Sequence, residues 1–142
     1  MNFIFAKLFE EYRRKNDSPR YSISLYISVV YFFLSFTILL PIKTFIDKKI
    51  FNDQIEYEKS SIMIVVSGLM AIILLFVYRI YIKNERILRL VERYKEIKIN
   101  KVLLYFIIVL IPVILLLLAG IITVYLNGGK ILGNEINGLL EQ

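Results

Sequence analysis

An all-α integral membrane protein, with three transmembrane helices and two amphipathic interfacial helices, is the fold class the sequence predicts. Three observations carry it. The chain has 142 residues, 58% of them apolar, and these fall in three long blocks with most of the charge between them. Asp, Glu, Lys and Arg are absent from Tyr21 to Ile42, from Ser60 to Tyr78 and from Val102 to Gly129. About 20 apolar residues, rising about 1.5 Å each, cross a hydrocarbon core of about 30 Å, so every stretch is long enough. Backbone in lipid must satisfy its own hydrogen bonds, so each stretch is expected to be helical.

The elements follow in order. Residues 3–15 place Phe5, Leu8, Phe9 and Tyr12 at i, i+3, i+4 and i+7, with Lys7, Glu10, Glu11, Arg13 and Arg14 elsewhere. That pattern predicts an amphipathic helix lying in the interface plane. Ser18-Pro19 has the residue types of an N-cap and a first-turn proline, starting the first span over 19–42. A charged segment precedes this block and no small-x-small cleavage pattern follows it, so it is not read as a cleaved signal. Residues 43–59 form an outer loop and 60–82 the second span.

Residues 84–98 repeat the amphipathic device, with Ile87, Leu90, Val91, Tyr94 and Ile97 on one face and Glu85 set to pair with Arg89. A straight helical continuation of the second span would carry the chain about 22 Å from the membrane. The third span, 102–126, begins only four residues later, and four extended residues reach about 14 Å. Residues 84–98 must therefore fold back along the membrane surface. Pro112 lies inside the third span, where a bend is expected. Asn127-Gly128-Gly129 has the residue types of a helix stop. The outer tail, 127–142, is open to forming a small external cap or a flexible end, and reads most simply as a terminus.

Orientation follows from the basic residues. The N-terminal segment and the loop between spans two and three carry 13 Lys and Arg, against 5 in the other two polar segments. The positive-inside rule then places the N-terminus in the cytoplasm and the C-terminus outside. Tyr21, Tyr26, Tyr78, Tyr81 and Tyr105 are expected to line the inner interface, with Tyr57 and Tyr125 near the outer one. The Lys-, Ile- and Asn-rich composition suggests a bacterium with an AT-rich genome, hence its cytoplasmic (inner) membrane.

Several functions are disfavoured. Without His or Cys there is no thiol chemistry, no zinc site of the usual kinds and no histidine acid–base catalysis. Ser60 beside Lys59 does not make a nucleophile and base, because adjacent residues on a helix point apart. No enzyme and no cofactor are expected. Spans without an ionisable residue disfavour a proton relay, pump or ion-coupled carrier. The net charge of +6 is explained by span-flanking residues, so no nucleic-acid partner is expected.

Three groups remain as candidate sites. Ser24, Ser28, Tyr31 and Ser35 share one face of the first span, as a pore lining or, more commonly, helix–helix glue. Small residues cluster at Ser67, Gly68 and Ala71 in the second span and at Ala119, Gly120 and Thr123 in the third. Both clusters lie about 9 Å below the outer boundary, where these two helices are expected to pack most closely. Arg86, Arg89, Arg93, Lys95 and Lys98 form a basic surface suited to anionic lipid or to anchoring the hairpin. The function these features favour is an accessory or assembly subunit that packs helices with a homo-oligomer partner or a larger membrane protein. The alternative is an oligomeric channel or membrane-permeabilising effector.

Overall fold

The computed structural model describes residues 1–15, 18–51, 58–131 and 134–140. It contains five helices: α1 (Asn2–Lys15), α2 (Pro19–Lys49), α3 (Lys59–Val77, continued by a π-helical segment, Tyr78–Lys83), α4 (Arg86–Arg93) and α5 (Lys101–Asn127). Helices α2, α3 with its π segment, and α5 are long and apolar enough to cross a membrane. A short antiparallel pair, β1 (Gly129–Ile131) and β2 (Asn134–Ile136), follows α5. Asp53, Glu56 and Tyr57 of the expected outer loop lie outside the described residues.

The boundaries have local causes. Helix α2 starts at Pro19, with the Ser18 carbonyl accepting from the Tyr21 and Ser22 amides at 3.1 and 3.2 Å, as the N-cap reading requires. It runs past the expected end at 42 to Lys49, because Pro41 interrupts one hydrogen bond without ending the helix, and a Lys43–Asp47 ion pair spans the added turn. Helix α5 is capped at its start by Asn100, whose Oδ1 accepts from the Val102 amide at 2.9 Å. It stops at Asn127, and Gly128 takes the left-handed conformation with φ 79°. Helix α4 is shorter than the 84–98 expected. Glu85 is left-handed (φ 52°) and Tyr94 leaves helical geometry at ψ 15°. Outside the helix, Glu85 does not reach Arg89, which instead donates to the Asn84 carbonyl at 3.0 Å.

The chain divides into two compact units. The first comprises Met1–Phe32 and Val66–Ile111. It holds nearly all of the buried side chains: Phe5, Leu8 and Phe9 of α1, Ile23, Ile27 and Val30 of α2, Val77 and Tyr81 about the π segment, Ile87 and Leu90 of α4, and Leu104 of α5. Helix α1 packs on α4, with the Phe3 and Tyr94 rings edge to face at 5.6 Å. The sequence pattern exposes the polar face of α1, yet Lys7 and Glu11 are buried too. Helix α1 is thus a core element of this unit rather than a helix with one wet face.

A proline just past this unit in sequence, Pro112, explains an otherwise odd contact within it. It has no N–H, so the Ile108 carbonyl four residues earlier in α5 loses its usual donor. The Tyr26 hydroxyl of α2 donates to that carbonyl at 3.1 Å. Tyr26, expected to line the inner interface, turns its hydroxyl to this orphaned carbonyl.

The second unit comprises Phe33–Val65 and Pro112–Gln142. Here Thr37 of α2 shares its hydroxyl proton between the carbonyls of Phe33, at 3.0 Å, and Leu115 of α5, at 3.1 Å. The tail is more than a loose terminus. After β2 the Leu139 and Leu140 amides donate to the carbonyls of Tyr125 and Leu126, at 3.2 and 3.1 Å, and Lys48 Nζ donates to the Asn127 carbonyl at 3.1 Å. Those are last-turn carbonyls of α5, which a helix cannot satisfy itself. Gly138 permits the return, since a Cβ there would lie 2.4 Å from the Asn127 carbonyl carbon and from the Gly128 nitrogen.

Two outcomes follow. Tyr26→Phe is expected to cost about 1 kcal/mol in unfolding from mixed micelles, by stranding the Ile108 carbonyl. In a Pro112→Ala background, which restores the N–H, the cost falls towards zero; equal costs in both backgrounds refute the pairing. Gly138→Ala forces backbone apart and is expected to cost about 2 kcal/mol of tail docking. Hydrogen exchange reads it as lost protection of the Leu139 and Leu140 amides, and unchanged protection refutes it.

Candidate functional site

The first unit concentrates the polar and aromatic groups that the spans otherwise lack. The π turn takes extra backbone per turn. It leaves Tyr78, Arg79 and Lys83 exposed while Tyr81 and Ile82 turn inward. Tyr81, expected in the interfacial belt with Tyr21, Tyr78 and Tyr105, is only 2% exposed, whereas those three are open. Its hydroxyl meets that of Tyr31 at 3.0 Å, its ring stands edge-on to Phe5 at 6.0 Å, and the Arg86 guanidinium lies 5.1 Å from its centroid. Phe5 also packs edge-on against Tyr26 at 6.1 Å.

The hydroxyl stripe of α2 is divided. Ser24 and Ser28 are buried in the first unit, where Ser28 Oγ donates to the Ser24 carbonyl at 2.8 Å and Ser24 Oγ has no hydrogen-bond partner. Tyr31 joins Tyr81, as above. Ser35 belongs to the second unit and is half-buried.

The small-residue clusters also fall in different units, Ser67, Gly68 and Ala71 in the first and Ala119, Gly120 and Thr123 in the second. Ser67, Gly68, Ala71 and Gly120 are exposed, Ala119 is buried, and Thr123 donates to the Ala119 carbonyl at 2.8 Å. A Cβ built on Gly68 or on Gly120 would meet no described atom within 4 Å.

All five residues of the expected basic surface, Arg86, Arg89, Arg93, Lys95 and Lys98, are exposed. Arg86 and Arg89 are held by the Tyr81 ring and the Asn84 carbonyl, which leaves Arg93, Lys95 and Lys98 as the free-standing charges of that surface. Beneath lies a network the helical periodicity did not reveal. The buried Glu11 carboxylate of α1 faces Lys15 at 3.2 Å and Lys101, at the start of α5, at 3.5 Å. Lys15 in turn donates to the Tyr105 hydroxyl at 3.2 Å. Lys15 chiefly, and Lys101 further off, hold the Glu11 pKa below its ordinary 4.5 against the opposing effect of burial. Hydrogen bonding to Tyr105 and then to Glu11 raises that of Lys15, and burial raises that of Tyr12. Among the described residues no group of His, Cys, Asp and Glu is arranged to hold a metal ion.

A lowered folded pKa means that Glu11 stabilises the fold fully above its ordinary value and loses that effect as pH falls through the folded value. Unfolding of the wild type and Glu11→Gln, followed from about pH 7 to about pH 3, is expected to differ by about 1 kcal/mol at the top of the range and to converge at the bottom. A difference independent of pH refutes the charged role. Compared with models of known protein families, with curated proteins and with solved structures, this chain matches none.

Proposed function

We propose that the chain is a three-span protein of a bacterial cytoplasmic membrane, with α1 and α4 on the cytoplasmic side, and that it works as an assembly subunit. In this reading it packs helices with further copies of itself or with a larger membrane protein. Packing of α1 on α4 supports the topology, because two crossings, α2 and α3, return the chain to the side from which it started. The bias of 13 basic residues against 5 supports placing that side in the cytoplasm.

One observation carries the assembly reading. The Ser67/Gly68/Ala71 face is exposed, and its glycine has open space where a side chain would stand. Small residues on membrane helices let another backbone approach closely, and here this chain leaves the room unused. The burial of Ser24 and Ser28 weighs against the channel alternative, which needs their hydroxyls along a water path.

Gly68→Leu is the direct test. Since no described atom lies within 4 Å of a Cβ built there, monomer stability is expected to change by less than about 0.5 kcal/mol. Self-association in mild detergent, or recovery of a copurifying membrane protein, is expected to drop about tenfold, equivalent to about 1.4 kcal/mol. Unchanged assembly, together with dye release from liposomes by the wild type, would favour the channel alternative.

A further inference from the structure

We propose that the groove between the C-terminal half of α1, the start of α2 and α4 binds the headgroup of an anionic phospholipid, with Arg13 and Arg20 as its ligands. The hollow measures about 430 Å³, and Phe9, Arg13, Pro19, Arg20, Leu88 and Val91 line it. That size suits a small polar group held between apolar walls. An adjoining hollow of about 500 Å³ shares Arg13 and adds Arg14 and Lys95.

Charge is the first argument. Four cations, Arg13, Arg14, Arg20 and Lys95, gather about the two hollows with two carboxylates, Glu10 and Glu92. Glu10 is already paired with Lys7 at 2.8 Å. Some cations elsewhere are paired within the chain, Lys15 and Lys101 on Glu11 and Lys43 on Asp47, while others such as Arg93 and Lys98 stand on open surface rather than around a hollow. Among the described residues no ion pair includes Arg13, Arg14, Arg20 or Lys95. Guanidinium groups left unpaired around one hollow favour an anion from outside, and Arg matches phosphate with two parallel hydrogen bonds.

Chemistry of the walls then selects the anion. A soluble phosphate would use the arginines but not the half-buried Leu88 and Val91 beside them, whereas a lipid offers apolar carbon directly below its phosphate. Placement agrees. Arg20 is the last charged residue before the uncharged run that begins at Tyr21, so the groove opens where α2 enters its apolar stretch. This site is distinct from the outer face of α4, which carries Arg89 and Arg93. It rests on the three-span part of the proposed function and is independent of the assembly part.

The test uses the full chain in mild detergent, with dioleoylphosphatidylglycerol or dioleoylphosphatidylcholine added and retained lipid counted by native mass spectrometry. The anionic lipid is expected to be retained preferentially, and Arg13→Gln with Arg20→Gln to weaken its retention about tenfold. Arg13→Lys with Arg20→Lys keeps the charge and is expected to retain part of the binding. Glu92→Gln removes the groove's unpaired carboxylate and is expected to strengthen retention, a gain that misfolding cannot produce. Equal retention of both lipids, wild-type retention by the double Gln variant, or equal loss from Arg89→Gln with Arg93→Gln each overturns the proposal. So does displacement of the lipid by glycerol phosphate at the same concentration. Gly68→Leu is expected to leave lipid retention unchanged, which separates failure of this site from failure of the assembly reading.

Discussion

The demand that every backbone carbonyl find a donor governs more of this structure than any other constraint. Where water is scarce an unpaired carbonyl costs several kcal/mol in the limit, so apolar helices of this length must resolve each exception. At three of them the answering donor is visible. Pro112 strands the Ile108 carbonyl and Tyr26 supplies its proton. The end of α5 strands its last carbonyls, and the Leu139 and Leu140 amides with Lys48 answer them. The π segment ends at Asn84, whose carbonyl takes Arg89. In each case the donor comes from a residue whose type alone suggested another purpose: an interfacial tyrosine, a terminal tail, a topogenic arginine.

The same constraint explains where polarity gathers. Helices α3 and α5 are exposed over almost all of their apolar length and carry no charge there. Charged groups therefore gather in α1, the π segment, α4 and the ends of the long helices, and most buried side chains lie in the first unit. Glu11 at its centre ties α1 to Lys15 and to Lys101 at the foot of α5. A buried carboxylate is tolerable only with such partners, and two exposed ammonium groups reaching inward provide them at small desolvation cost. Among the described residues no ion pair includes Arg13 or Arg20, and the proposed lipid phosphate would play the part for them that Glu11 plays for Lys15.

The two proposed tasks, assembly and lipid binding, fall to different parts of the chain. The Ser67/Gly68/Ala71 face offers close approach to another helix, and it needs no charge. The α1–α2–α4 groove offers charge and an apolar wall. Under that proposal, separating the two tasks would let a partner dock without displacing lipid from the basic groove.

Length and uninterrupted apolarity made the three long helices legible in the chain, because no local alternative satisfies so many backbone groups. Ser18-Pro19 and Asn127-Gly128 marked two helix ends for the same reason: caps are decided by neighbouring residues. What periodicity could not reveal was which faces meet. It displayed Lys7 and Glu11 as a wet face, placed Tyr26 and Tyr81 in an interfacial belt and extended α4 to 98. Lys101 lies ninety residues from Glu11, and the Ile108 carbonyl eighty-two from Tyr26. Neither pairing leaves a trace in local spacing. Sequence alone therefore determined which segments are helical and how many are long enough to cross; only the tertiary structure decided which polar groups turn inward, because that choice belongs to partners distant in the chain.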